Sequence, residues 1–399
     1  SKALEMPGVR AVFHGEHFTG LNIPAFNPLL PINQPVSFPV MTSGRISYAG
    51  EPLCVVIANT PMEAQDACES IDLILDTREE ASQELSNASL FTTTLKNFDQ
   101  TVISDEPDQI VVSASLLSPR VVALALEPRT VISRYQDGSF HISLGSQTPS
   151  RAQSDFAQML KVPLSRVRVS MEDVGGAFGS KSSLYPEELI IALCSQHLEE
   201  TVKWVSTRSE DFLSGMHGRG SKLEGTLTVA KNGDLRSLKA NIEFDLGAWL
   251  PYSAVVPLRN ACRILPGPYL VPKINIEGNA YLSHKAPMNI YRGAGRLEAA
   301  ILMETLIEKS ARVLNLDPVE FRLRHLISSG DMPFKTPTGE VLDSGDYSKI
   351  LLKACECFDF AHERQLQCKR REQGEHVGIG VGFYIEPCGL GWESASIEW

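Results

Sequence analysis

Two glycine-rich turns contain the residues of this chain that are best suited to do chemistry. The first, at 175–181, reads GGAFGSK and follows a strand-like run, and the second, at 292–296, reads RGAGR and precedes a helical pattern. Backbone N–H groups in such turns can hold an anion, and arginine pairs well with phosphate or carboxylate. The sequence therefore predicts an anionic ligand held by backbone N–H groups.

The first turn also resembles a nucleotide-binding P-loop, but it departs from that motif. A P-loop beginning at Gly175 needs glycine at residue 180, where this chain has Ser180. No apolar strand ending in Asp offers a convincing magnesium ligand. The simpler alternative for the turn alone is a strand-to-helix connector whose glycines supply positive φ. ATP or GTP binding is therefore not expected.

The elements that position these turns are predicted to be mixed helices and strands. They lack a strict strand–helix alternation, which favours an α+β fold over a doubly wound sheet. The dipeptides Asp137-Gly138 and Asn232-Gly233 predict hairpin turns. A strand is predicted over 53–58, and helices are predicted over 62–75, 148–162 and 297–316 and from Asp317 onward. A capping box formed by Thr60 and Glu63 is predicted to begin the first of these helices.

The composition of the chain excludes several classes of protein. The chain has 37 Lys and Arg against 48 Asp and Glu, a net charge of −11, which argues against general affinity for nucleic acid or anionic membranes. It contains no apolar run that could span a bilayer and no visible signal peptide. Its eight cysteines form no CxxC pair, which favours reduced thiols over disulfides or a zinc site. A cytoplasmic protein of two or three domains is expected.

Three segments, in this order along the chain, resemble the molybdopterin-binding large subunit of the xanthine oxidase and aldehyde oxidoreductase family. The family pattern is an S-Q turn, then GGxFGxK, then YRGxGRxxA before a helix. It corresponds here to SQTP at 146–149, GGAFGSK at 175–181 and YRGAGR at 291–296. LEPR at 126–129, WVSTRSEDF at 204–212 and LDPVEFRLRHLI at 316–327 also match, so the resemblance extends over nearly the whole chain.

The resemblance implies an α/β-hammerhead domain at 1–90 and the first molybdopterin-binding domain at 116–372. The start of a second molybdopterin-binding domain is expected at 373–399. The polar segment between the first two units, 91–115, is predicted to be a linker. The chain looks like a piece of a longer protein, since the family's general base, a Glu, is expected beyond Trp399 and neither Glu386 nor Glu393 matches a base motif. This piece alone is therefore expected to lack a complete site.

The resemblance also implies a function. The chain would be the large subunit of a molybdenum hydroxylase that oxidises an aldehyde or an N-heteroaromatic compound with oxygen from water. The cofactor would be molybdopterin, in its cytosine dinucleotide form, with molybdenum held by the pterin and by no side chain. Electrons would leave through partner subunits that carry 2Fe–2S clusters and FAD, in a dimer of heterotrimers. The alternative is a non-catalytic or split family member that serves as a binding or scaffold subunit.

Within this resemblance, catalytic roles are expected for three residues. Gln147 would donate a hydrogen bond to a metal oxo group without changing the charge of the site, and Phe178 would wall the site and exclude water. Arg292 would stabilise negative charge on the substrate or on the cofactor's phosphate. The cofactor is expected to contact these three residues and the turn backbone at Gly175, Gly176, Ala177, Gly179, Gly293, Ala294 and Gly295. Taken singly, the three have ordinary interpretations as turn, core and surface residues, and it is their ordered combination that favours a site.

Four further residues refine these expectations. Ser182 stands where xanthine-oxidising relatives have Glu, so xanthine is not expected as the substrate. Gly293 stands where aerobic carbon monoxide dehydrogenases have a copper-binding Cys, so oxidation of carbon monoxide at copper is not expected. Lys181 is expected to end its turn structurally, and Glu127 of the LEPR segment is assigned no catalytic role.

Overall fold

The computed structural model describes residues 2–23, 32–33, 36–76, 89–98 and 108–386. The strands are β1 (Val9–His14), β2 (Cys54–Ala58), β3 (Phe91–Lys96), β4 (Gln109–Val122), β5 (Thr130–Gln136), β6 (Ser139–Leu144), β7 (Val167–Ser170), β8 (Thr201–Val205), β9 (His217–Ala230), β10 (Leu235–Asp245), β11 (Lys273–Tyr281), β12 (Phe334–Lys335) and β13 (Val341–Leu342). The helices are α1 (Pro61–Glu69), α2 (Pro149–Met159), α3 (Pro186–Leu198), α4 (Arg208–Ser214), α5 (Val256–Ile264), α6 (Arg296–Val313), α7 (Pro318–His325), α8 (Tyr347–Phe358) and α9 (Phe360–Glu372). This mixture of helices and strands agrees with the predicted fold class.

The N-terminal unit pairs β1 and β2 antiparallel and adds α1. The predicted capping box is present: Thr60 Oγ1 accepts a hydrogen bond from Glu63 N, and the Glu63 carboxylate accepts one from Thr60 N. The helix ends at Glu69, so its predicted continuation to residue 75 is wrong. Ile71 still packs against the small N-terminal core, but the next three apolar residues of the predicted helix are exposed, so a helix there would bury little apolar surface; they are Leu73, Ile74 and Leu75.

A five-stranded sheet in the order β3-β11-β10-β9-β4 forms the centre of the larger part of the chain. Strands β10 and β11 are parallel, and the other neighbours in the sheet are antiparallel. Helices α5 and α6 pack against this sheet. The core between them is formed by buried aliphatic side chains such as Leu223, Leu227, Leu238, Leu302 and Leu306.

The segment predicted as a linker, 91–115, contains strands in its described residues. Strand β3 lies at one edge of the five-stranded sheet, and β4, which begins at Gln109, lies at the other. Phe91 is buried in the core and Leu95 packs against it, while the threonines between them alternate outward. The polar composition therefore reflects the outward residues of an edge strand, and the prediction of a linker over these residues is wrong.

A second sheet, of four strands in the order β7-β6-β5-β8, carries α2 and α3. Its central hairpin confirms the turn predicted at Asp137-Gly138, where φ is 51° and 73° as a type I′ turn requires. The turn predicted at Asn232-Gly233 is also confirmed, since it joins antiparallel β9 and β10. The long helix predicted over 297–316 is confirmed as α6.

The C-terminal segment begins with α7, whose cap, Asp317, accepts hydrogen bonds from Val319 N and Glu320 N. After α9 the described chain runs on to residue 386 without strand pairing. Val381, Phe383 and Ile385, in this run, pack against the core of the five-stranded sheet. The rest of the segment that is expected to begin a second domain, 387–399, lies outside the described residues.

Candidate functional site

Gln147 lies directly between the end of β6 and the start of α2, as predicted. Its side-chain Oε1 accepts a hydrogen bond from Gly179 N at 2.8 Å, and its own backbone N donates to Lys181 O at 2.9 Å. The hydroxyl of the neighbouring Thr148 donates to Ser182 O at 3.1 Å instead of capping α2. The Gln147 segment is therefore fastened to the GGAFGSK turn. The hydrogen bond from Gly179 N occupies Oε1, and the side-chain NH₂ group of Gln147 has no partner among the described residues.

The RGAGR turn joins the GGAFGSK turn on its other side. Arg292 N donates a hydrogen bond to Phe178 O at 3.0 Å. Gly179, with φ of 101°, approaches the chain before Arg292 so closely that a Cβ there would be 2.5 Å from Ile290 O. The three predicted segments are thus in direct hydrogen-bonded contact, although they are far apart in the sequence.

Both turns have backbone donors that nothing in the described part of the chain uses. Gly175 N donates to Glu127, but the next three N–H groups, at Gly176, Ala177 and Phe178, have no acceptor there. The N–H groups of the RGAGR turn are similarly free within the described ranges, at Gly293, Ala294 and Gly295. Runs of unpaired N–H groups are suited to bind an anionic or strongly polar ligand.

The RGAGR turn is also the N-terminus of α6, which has 18 residues. Gly295 is the N-cap, with φ of 77°, and a Cβ there would be 2.1 Å from Pro257 O at the start of α5. Asn260 Nδ2 donates to Ala294 O at 3.1 Å. The turn is therefore pressed against α5, and the positive end of a long helix dipole lies behind its free N–H groups.

Arg219, which lies outside the three predicted segments, supports this turn. Its Nη2 donates to Arg292 O at 2.7 Å, and its Nη1 lies 3.4 Å from Glu298, whose side chain is 2% exposed. Its guanidinium also stacks over the Tyr291 ring, 4.8 Å from the centroid. An arginine between two glycines, in HGRG at 217–220, was the available signal, but its partners are more than 70 residues away.

The side chains of Arg292 and Phe178 point away from the packed part of the structure. Phe178 is 44% exposed and has φ of 53°, an uncommon backbone conformation for a residue with a side chain. The guanidinium of Arg292 is exposed and has no partner among the described residues, whereas Arg296 forms an ion pair with Glu386. Arg292 is thus the arginine of this turn that is free to contact a ligand.

Lys181 is unsuited to the role of a P-loop lysine. Its side chain is 3% exposed, and its Nζ lies 2.5 Å from Glu127 Oε2. Ser180, at the position where the P-loop needs glycine, is buried, and its hydroxyl donates to Ala177 O. The Lys181 ammonium is therefore buried in an ion pair, whereas the lysine of a P-loop extends to the phosphates of the nucleotide.

Buried polar groups lie behind the GGAFGSK turn. Ser182, 7% exposed, donates from Oγ to Gly179 O at 2.7 Å. Burial raises the pKa of the Glu188 carboxyl to about 8, against the hydrogen bond from Tyr185 N and the charge of Arg129, which lower it. At neutral pH Glu188 is therefore largely protonated, and it lies in the first turn of α3 as a neutral side chain.

Two features are absent from the described residues. In that part of the chain no group of His, Cys, Asp and Glu side chains is arranged to hold a metal ion. Within the same ranges, no helix has both the length and the apolar character needed to cross a membrane.

Comparison with known proteins gives a family match over the part of the chain that contains the three joined segments. The molybdopterin cofactor-binding domain family matches residues 90–326. The nicotine 6-hydroxylase large subunit of Paenarthrobacter nicotinovorans is 25% identical over 98% of this chain and 50% of its own length. The carbon monoxide dehydrogenase large chain of Hydrogenophaga pseudoflava is 27% identical over 98% of this chain and 52% of its own. The chain thus spans about half the length of these curated relatives.

A solved structure extends the similarity to the fold. Quinoline 2-oxidoreductase from Pseudomonas putida 86 superimposes with a TM-score of 0.87 and 27% sequence identity, covering 93% of this chain and 50% of that one. The family match includes the Gln147, GGAFGSK and RGAGR segments, which the structure joins by hydrogen bonds. As the motifs predicted, the chain belongs to the molybdopterin-binding large subunits of the xanthine oxidase family.

Proposed function

We propose that the three joined turns bind the molybdenum cofactor and that the full-length protein hydroxylates an N-heteroaromatic compound or an aldehyde. The observation that carries this proposal is the set of unused donors on the two glycine turns, fastened together through Gln147 and Phe178. A pterin dinucleotide offers phosphates and ring heteroatoms that match such donors. The glycines allow the backbone to approach it closely. The residues present therefore fit the group.

When bound, the cofactor supplies the two-electron oxidation of a carbon atom with oxygen from water. The chain's own residues bind and orient. Gln147 offers its NH₂ group toward the ligand because Gly179 N fixes its Oε1. The exposed ring of Phe178 would exclude water from one side, and the Arg292 guanidinium would stabilise negative charge. Gly175, Gly176, Ala177, Gly293, Ala294 and Gly295 would contact the cofactor through their backbone.

The names of the relatives favour one substrate class. Nicotine 6-hydroxylase and quinoline 2-oxidoreductase are named for N-heteroaromatic compounds, and we propose the same class here, with aldehydes second. The buried Ser182 offers no carboxylate for a purine, and Gly293 offers no thiol for copper. Xanthine and carbon monoxide are therefore poor candidates.

The wider assignment is part of the same proposal. We assign 1–90 to a hammerhead domain, the residues up to 372 to the first cofactor domain and 373–399 to the start of the second. The protein would work in the cytoplasm with iron–sulfur and FAD subunits, in a dimer of heterotrimers, and would hold the cytosine dinucleotide form of the cofactor. The seven cysteines of the described part are free thiols, which suits a reducing compartment.

The test uses the full-length protein, purified in the assembly that it forms. Molybdenum and pterin are measured per chain, acid hydrolysis shows whether CMP is released, and a dye-linked assay compares quinoline and nicotine with an aldehyde. Replacing Gln147 by Ala is expected to lower kcat by about 10²-fold, because one preorganised donor to developing charge is lost. The control is Gln153→Ala in α2, which removes a side-chain hydrogen bond to Val167 O but none to the turns.

Three outcomes separate the alternatives. Molybdenum, CMP and substrate oxidation together support the proposal. Molybdenum without oxidation of any substrate indicates the non-catalytic family member. A full-length chain that holds neither molybdenum nor pterin when expressed with a functional cofactor pathway refutes cofactor binding.

A further inference from the structure

Glu127 and Lys181 form an ion pair where the segments of the site meet. Glu127 Oε2 accepts hydrogen bonds from Lys181 Nζ at 2.5 Å and from Gly175 N at 2.9 Å. Glu127 N in turn donates to Gly175 O at 3.1 Å. One carboxylate oxygen thus receives a donor from each end of the GGAFGSK turn.

The same pair also packs against the Gln147 segment. A Cβ at Gly145, two residues before Gln147, would be 3.2 Å from Lys181 Nζ and 3.3 Å from Glu127 Oε2. Lys181 O accepts the hydrogen bond from Gln147 N. A displacement of Lys181 would therefore move Gln147 together with the turn.

The segment that carries Glu127 is itself fixed. Arg208, at the start of α4, donates from Nη1 to Ala125 O at 2.7 Å and from Nη2 to Leu126 O at 2.9 Å. Glu127 therefore extends from a braced segment, and the Lys181 side chain that reaches it is 3% exposed. A buried ammonium without this carboxylate would be strongly disfavoured, so the pair specifies one arrangement of the turn.

We propose that Glu127 and Lys181 are a positioning pair that sets where the free N–H groups at 176–178 lie relative to Gln147. The identity of the ligand as molybdopterin rests on the function proposed above, but the positioning role does not. Both act through the turn that they close.

The test compares two double variants of the full-length protein. Glu127→Leu with Lys181→Met removes both charges and the acceptor for Gly175 N. Glu127→Gln with Lys181→Met also removes both charges but keeps an amide oxygen in place of that acceptor. Neither leaves a lone buried charge, so both are expected to fold.

Hydrogen exchange of the ligand-free protein is the first measurement. We expect the Leu–Met variant to exchange about ten-fold faster in peptides covering 145–148 and 176–182, and the Gln–Met variant to recover part of that protection. Molybdenum per folded chain is the second measurement, and we expect it to fall at least about five-fold in the Leu–Met variant and less in the other, as the loss of preorganised binding groups implies.

The control is another buried pair, Arg322 and Glu304, with side chains 0% and 13% exposed and an N–O distance of 2.9 Å. Its variant, Glu304→Leu with Arg322→Met, removes contacts to Tyr269, Glu308 and Val381 and none to the turns. Unchanged exchange at 145–148 and 176–182 in the Leu–Met variant, or an equal rise there in the control, would overturn the positioning role. A wild-type protein without molybdenum would overturn the proposed ligand and leave the exchange result to decide the positioning role.

Discussion

Substitution of Gly179 by Ala perturbs the contact between the GGAFGSK turn and the chain before Arg292. Gly179 has φ of 101°, so an alanine there is strained by about 1–3 kcal/mol before any contact is considered. The new Cβ would also lie 2.5 Å from Ile290 O, where ordinary contact begins at 3.4 Å. The turns must therefore separate by about 0.9 Å, and a 1 Å misplacement of reacting groups can cost about 10²-fold in rate.

The matched control is Gly339→Ala. Gly339 has a similar φ of 92°, but a Cβ there meets nothing within 4 Å. Both variants should lose stability through backbone strain in thermal unfolding, and Gly179→Ala should lose more because its Cβ also meets Ile290 O. Only Gly179→Ala should also lose molybdenum content and about 10²-fold in substrate oxidation, because Gly179 N is the donor that fixes Gln147. If Gly179→Ala keeps the cofactor content and turnover of Gly339→Ala, the contact between the two turns does not position the site.

Two further predictions concern the support of the site. The folded-state pKa of Glu188 is about 8 against 4.5 for an ordinary Glu, so the folded protein keeps a proton that the unfolded chain releases, and stability should fall as pH rises from 4.5 to 8. Glu188→Gln should remove that pH dependence, which amounts to up to about 5 kcal/mol of unfolding free energy. The melting temperature of the variant relative to wild type should therefore rise with pH. A constant difference between the two melting temperatures from pH 5 to 8.5 would contradict a buried neutral carboxyl. Arg219→Lys should speed pterin release several-fold, because a lysine lacks the planar fork with which Arg219 contacts both Arg292 O and Glu298. An unchanged release rate would show that this arginine does not hold the turn.

The sequence predicted those parts of the fold that depend on local chemistry. The Asp137-Gly138 hairpin and the Thr60 capping box are specified by a few adjacent residues, and the structure confirms both. Strand β3 was missed because it is an edge strand whose polar residues alternate outward. The prediction placed the end of α1 too far along the chain. The burial of Ile74 depends on which other elements pack there, and a local sequence pattern does not contain that information.

In the candidate site, too, local features could be predicted from the sequence and long-range contacts could not. The Gln147, GGAFGSK and RGAGR segments could be recognised because each is a short contiguous motif. Their assembly could not be derived from spacing, since Glu127 meets Lys181 and Arg219 meets Arg292 across 54 and 73 residues. The motifs therefore indicate which residues form the site, whereas long-range ion pairs and carbonyl contacts determine how those residues are arranged.

The bonds that join the turns have a consequence for how such a site can change. Arg292 N to Phe178 O and Gln147 N to Lys181 O are bonds between main-chain atoms, so they survive most exchanges of the side chains at those positions. The exposed side chains of Phe178 and Arg292 can therefore be varied while the framework that holds them stays intact. Under the proposed function, such substitutions would change what the site contacts while the main-chain bonds between the turns remain.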